Sequence, residues 1–287
     1  MRKLFRAALG AFAILAMAAG SGHAEDKTIR MGTMSWEDLT PITGITKKVL
    51  EDAGYTVKVT SFSEWGIAYA ALVKGDTQVM VSQTDYVAQD YWNRYKRRLE
   101  KISPVSYGLY QGIGVPKYVT IDSLDQLNGS ADKFGNKIIG IEAGSGEMST
   151  TQKAVGDYGL KLTLVPGSET AMLATLKNAV SQKKCEVVTL WRPHAAFALY
   201  PIRYLKDPKG LYKPDQAWTV ANPSLKKNFP NAYAFFKQFT IPLSDQEKMI
   251  SQIVNEKKTP EAAAAAWMAA HPAKVNQWVQ VARPAKG

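Results

Sequence analysis

The sequence predicts an α/β protein of two lobes with a ligand cleft between them. Three observations predict it. Strand-length apolar runs alternate with helical patterns as β-α-β-α-β over residues 28–98; a second βα series begins near residue 115; and no Pro/Gly-rich linker separates the two. Strand–helix alternation implies parallel strands with helices packed on them, and two such series imply two sheets joined by short crossings. The crossings are expected near 104–115 and 203–218. One lobe then comprises residues 27–107 and 210–287, and the other residues 112–205.

The elements follow in order. "TIRMGTMSW" (28–36) is strand-like, and Ile42, Ile45 and Val49 repeat at helical spacing before Gly54 closes the helix. "YTVKVTSF" (55–62) alternates as a strand, "GIAYAALVKG" (66–75) is a short helix, "TQVMVSQ" (77–83) a strand and "DYVAQDYWNRYKRR" (85–98) a helix. In the second series "KIIGIEAG" (137–144) ends in a glycine turn, with a helix from about Glu147. "LKLTLVPG" (160–167) is a strand, 168–184 a helix, and "EVVTLW" (186–191) a strand stopped at once by Pro193. Helices are expected at 231–239, 245–257 and 260–270. The last two open on a Ser244/Glu247 capping box and on Thr259-Pro260 as cap and first turn. The alanine run after Glu261 is a strong helix former.

Composition bounds the chemistry. "MRKLFRAALGAFAILAMAAGSGHA" (1–24) carries Arg2, Lys3 and Arg6, an apolar run and small residues ending at Ala24, the pattern of a secretory signal peptide. The apolar run is too short to serve comfortably as a membrane anchor, and "EDKT" follows it directly. The formal net charge is +11, yet the basic residues lie in short runs on helix faces rather than in a nucleic-acid footprint. Cys185 is the only cysteine, which excludes an intrachain disulfide. Beyond the leader only His194 and His271 remain, and no Cys/His spacing resembles a metal set. Ser145 in "AGSGE" lacks the Gly-x-Ser-x-Gly hydrolase pattern, and no other catalytic set assembles. An enzyme and a cofactor are therefore not expected.

Strand ends are where ligands bind in α/β sheets, and aromatic residues collect there. Trp36 ends the first strand, with Glu37 and Asp38 behind it; Trp65 follows the second; Asp85 and Tyr86 follow the third. Tyr107 and Tyr110 lie near the first crossing, and the second lobe offers the turn 144–147 and Trp191. Taken singly, each tryptophan is explained by packing. Two at strand ends in different lobes, with acids nearby, suit a soft cation. A quaternary ammonium has no N–H to donate, so it is held by aromatic faces through cation–π attraction. Three desolvated faces supply about 6 kcal/mol, and a micromolar complex needs about 8. A polar anchor and lobe closure must add the rest.

"SW-E-D" after the first strand, "EAGSGE", "LWRPHAAFALYPIRYLKDP" and, near the end, "AAAWMAAHPAKVNQW" resemble the substrate-binding proteins of ABC importers for glycine betaine, proline betaine and choline. The resemblance runs over essentially the whole chain after the leader, and the Trp-x-Pro-His segment with its Leu-x-Asp-Pro turn is its most specific piece. It implies a two-lobed periplasmic-binding-protein fold (type II-like), a quaternary ammonium ligand, ABC permease subunits as partners and a monomer in the periplasm. By position Trp191 matches a cage tryptophan, and Trp36 with Asp38 the aromatic and acid of the choline-binding branch. The turn Ser145, Gly146, Glu147 matches a loop that gives backbone N–H groups or an aromatic to the ligand. The chain departs from the family at "QTDY" (83–86), where many relatives carry "NWTP": Thr84 stands at the expected tryptophan, and the histidine that meets a betaine carboxylate is absent. Tyr86 and Trp65 are the candidate substitutes, with Tyr110 nearby.

The competing reading is the same scaffold holding another small solute, such as an amino acid or polyamine. Other conspicuous residues have plainer roles. Arg192 binds a carboxylate, faces solvent or pairs with an acid; His194 caps or orients the loop after Pro193; Trp92, Trp218, Trp267 and Trp278 are packing anchors.

Overall fold

The computed structural model describes residues 27–85 and 87–284. The expected leader and Tyr86 lie outside the described residues. In chain order the elements are β1 (Thr28–Met34), α1 (Thr40–Asp52), β2 (Thr56–Phe62), α2 (Trp65–Lys74), β3 (Val79–Ser82), α3 (Gln89–Tyr95) and β4 (Glu100–Pro116). A 3-10 segment, Leu124–Phe134, leads to β5 (Lys137–Ile139), α4 (Gly146–Asp157), β6 (Thr163–Val165), α5 (Glu169–Gln182), β7 (Val188–Arg192), α6 (Ala195–Leu199) and β8 (Ile202–Tyr204). The chain continues through β9 (Asp215–Ala221), α7 (Ser224–Asn228), α8 (Pro230–Phe236), α9 (Leu243–Val254), α10 (Pro260–Ala270) and α11 (Pro272–Ala282).

The fold is two-lobed: its nine strands form one hydrogen-bonded path, β2-β1-β3-β9-β4-β7-β5-β6 with β8 on β4, and β4 divides it into two sheets, one to each lobe. In the first, β1 runs parallel to both β2 and β3, in register Thr28↔Thr56 to Met34↔Phe62 with β2. In the second, β5 runs parallel to β6 and β7. These trios are the parallel cores that the βα alternation predicts. Both sheets are nevertheless mixed, because β9 runs antiparallel between β3 and β4, and β4 runs antiparallel to β7 and β8. Hydrogen bonding passes through β4 from one sheet to the other: its first part, to Leu109, pairs with β9, and Tyr110 onward with β7. We place the first crossing there and the second between β8 and β9.

A strand at the crossing is not legible as a pattern. Pro104 interrupts it, and its register against β9 shifts three times. The last shift falls at Gly108, whose φ of +79° is a conformation that glycine adopts without a Cβ clash. That bulge lets one strand leave the first sheet and enter the second.

Most helices form as their spacing predicts. α1 buries Ile42, Ile45 and Val49, and Thr259 caps α10 by accepting from the Ala262 N–H at 3.2 Å. Trp278 packs on Phe239 (ring centroids 5.0 Å) and stacks with Trp267 (5.9 Å), so both anchor the C-terminal helices. Three expectations change. The Ser244/Glu247 capping box does not form: α9 begins two residues earlier, at Leu243 behind Pro242, and Glu247 is paired with Arg192 instead. α3 is confined to Gln89–Tyr95, and the helix expected at 231–239 is α8, Pro230–Phe236. Trp92 and Trp218, half-buried, pack against the core as expected and flank the Lys101 ammonium, at 5.3 and 4.5 Å from their ring centroids.

Candidate functional site

Four of the expected residues come together between the lobes. β1 ends at Met34, and the next turn closes through the Trp36 carbonyl, which accepts the N–H groups of Leu39 and Thr40. That turn aims the Trp36 ring and the Asp38 carboxyl at the second lobe. Trp191, the penultimate residue of β7, comes from the other side. The two indoles lie 5.5 Å apart at 46°, and Trp191 Nε1 donates to Asp38 Oδ2 at 3.2 Å. Trp65, the first residue of α2, stands edge-on to Trp36 at 5.5 Å. All four are buried.

Asp38 is the electrostatic centre of this group. Its Oδ1 is buried without a hydrogen-bond partner among the described residues, and Gln83 Nε2 makes a long 3.5 Å contact to Oδ2. Burial, reinforced by Glu169 and opposed by the Trp191 N–H, pushes the carboxyl up to about 8. A buried carboxylate with a bare oxygen is costly unless a positive charge meets it.

The turn at 144–147 is committed to the protein itself. Ser145 caps α4, accepting from the Met148 N–H at 3.2 Å, and the Gly146 N–H donates to the Val87 carbonyl of the first lobe at 2.8 Å. Glu147 is fully buried, neither carboxyl oxygen has a partner among the described residues, and burial holds it well above the usual carboxylate range. The donor role expected of Gly146 is thus taken by a protein acceptor. Gly144 has its own constraint: a Cβ there would lie 2.7 Å from the Tyr91 hydroxyl.

Tyr110 is not brought to the tryptophans. It pairs with Arg192 across β4 and β7, and successive residues of a strand face opposite sides, so Gln111 shares the Trp191 side. Tyr110 packs instead on Tyr204, at 5.1 Å. Sequence reasoning missed Gln111, which is buried with both amide atoms unpartnered among the described residues. Only the register with Trp191 marks it, and register is not visible from one strand.

Beside the indoles the cleft opens into a cavity of about 420 Å³, lined by Trp36, Glu37 and Glu64 from the first lobe and by Glu142 and Glu169 from the second. A smaller one, about 170 Å³, lies between Trp65 and Tyr91 on one side and residues 142–145 on the other. Burial, with Glu169 and Glu64 nearby, raises Glu142 to about 7 against the pull of its own backbone N–H. The charged side chains lining both cavities are acids. Among the described residues no group of three or more His, Cys, Asp or Glu is placed to hold a metal, and no helix is long and apolar enough to cross a membrane.

A two-lobed α/β fold whose cleft gathers indoles and carboxyls from both lobes defines a solute-binding protein. The family profile described as the substrate binding domain of ABC-type glycine betaine transport systems matches residues 27–270. The chain belongs to that family. It is 33% identical over 163 residues to the glycine betaine/carnitine transport binding protein of Listeria monocytogenes, a match covering 55% of this chain and 54% of the relative. The chain thus spans about half the length of that relative. The lactococcal glycine betaine-binding protein, solved closed on glycine betaine, aligns with a TM-score of 0.82 at 29% identity, over 88% of this chain and 100% of the other. The glycine betaine/L-proline-binding protein of Borrelia burgdorferi aligns at 0.81 and 28%, over 88% and 99%.

Proposed function

We propose that the protein captures a quaternary ammonium compound in the cleft, choline in preference to a betaine, and delivers it to an ABC permease from the periplasm as a monomer. One observation carries the reading: Trp36 and Trp191 meet from opposite lobes, and the Trp191 N–H bonds Asp38, whose buried Oδ1 has no partner among the described residues. Indole faces suit a methylated ammonium that cannot donate hydrogen bonds. The carboxylate supplies the anchor that aromatic faces alone lack. The preference for choline follows from charge. A betaine brings a carboxylate of its own into a cleft of Glu37, Glu64, Glu142 and Glu169. The lactococcal relative's complex with glycine betaine supports the ammonium class.

Calorimetry of the purified protein, residues 25–287, against choline, glycine betaine, carnitine, a polyamine and amino acids tests it. Micromolar choline binding with weaker betaine binding is expected; tight binding of an amino acid alone would overturn it. The same acids favour a second reading, a polyamine, since primary ammonium groups need convergent carboxylates. Tight polyamine binding with none of choline would establish that one.

A further inference from the structure

We infer that His194 is the positioning residue of Trp191, a neutral imidazole protonated on Nε2 that locks the indole in the orientation the cleft requires. The inference rests on the reading of Trp191 as a wall of the ligand site. The His194 side chain is 2% exposed, and it is held at three points. Nδ1 accepts the Ala196 N–H at 3.1 Å, capping α6, so Nδ1 carries no proton. The ring proton therefore sits on Nε2, which donates to Glu169 Oε1 at 3.1 Å. With both nitrogens bonded the imidazole cannot turn. Its ring stands T-shaped to Trp191, with centroids 4.2 Å apart.

Trp191 is thus confined between His194 and Trp36 while its N–H points to Asp38. A chain of contacts runs Glu169–His194–Trp191–Asp38, from the first turn of α5 in one lobe to the turn after β1 in the other. Because His194 is neutral in this arrangement, the charge of Glu169 at the cleft stays uncompensated and adds to the field that favours a cation. Glu247 of α9, paired with Arg192, faces the histidine across a crevice of about 330 Å³.

Capping and positioning can be separated, because asparagine is itself a good N-cap. His194→Asn keeps an acceptor for α6 but removes the ring from Trp191 and the bond to Glu169. Calorimetry with choline is expected to show a dissociation constant raised about five- to tenfold, with little change in Tm. In a Trp191→Ala background the same substitution is expected to change nothing further. Wild-type-like binding by His194→Asn, or additive losses in the double variant, would overturn the inference. If Trp191→Ala alone leaves binding intact, it is the ligand-site reading that fails. Long-range proton–nitrogen NMR spectra of the wild-type imidazole give an independent test: a bare Nδ1 and protonated Nε2 support the assignment, and the opposite tautomer or a doubly protonated ring at neutral pH overturns it.

Discussion

Trp191 donates its indole N–H to Asp38 at 3.2 Å, joining residues 153 positions apart and in different lobes. The bond uses one carboxyl oxygen and leaves the other bare. The bare oxygen is the one left to meet a cation held beside the indoles. Replacing the acid by its neutral isostere, Asp38→Asn, is expected to weaken choline by tenfold or more, about 1.4 kcal/mol, and glycine betaine much less. Calorimetry with both ligands decides; equal losses would remove charge selection from the site.

The same carboxyl makes binding depend on pH. Asp38 is raised to about 8, so its contribution to the stability of the folded protein is present below the usual carboxylate range and is lost as pH rises through about 8. A cation reverses the preference, because it pairs with the ionised form. Choline affinity should climb from pH 6 to 8, by at most about tenfold per unit for one coupled proton, and level off above. Glu142, raised to about 7, acts in the same direction. Asp38→Asn should therefore keep only the part of the slope below about pH 7.

Removing the Trp191 ring tests the cage. Trp191→Ala should cost at least roughly 2 kcal/mol, about thirtyfold in affinity, and Trp191→Phe should recover part because a smaller face remains. Unchanged binding in the alanine variant would place the ligand elsewhere.

The Gly144 backbone passes close to the Tyr91 hydroxyl, and Tyr91 is itself stacked on Tyr69 at 5.9 Å. Gly144→Ala should push these surfaces of the two lobes apart and lower choline affinity by about tenfold. Adding Tyr91→Phe, which removes the obstructing oxygen, should restore most of it. Absence of rescue in the double variant would show that the contact does not govern closure.

Arg192 and Glu247 form a two-pronged ion pair, but their side chains are 49% and 35% exposed. Water and salt screen such a pair, so Glu247→Gln should change stability by less than about 1 kcal/mol in denaturant titrations. A larger loss would mean that the pair holds α9 in place.

What depends on near neighbours is legible in the sequence. The alternation of strand and helix, the Thr259 cap, and the placement of Trp36 and Trp191 at strand ends all follow from local periodicity and turn chemistry. Which of those residues meet is a matter of tertiary contacts. They put Tyr110 on the side of β4 away from Trp191 and Gln111 in its place, gave Glu247 to Arg192 rather than to a helix cap, and bonded Gly146 to Val87. Each outcome depends on strand register or on the approach of one lobe to the other. These are set by contacts between segments far apart in the chain, and local pattern carries no record of them.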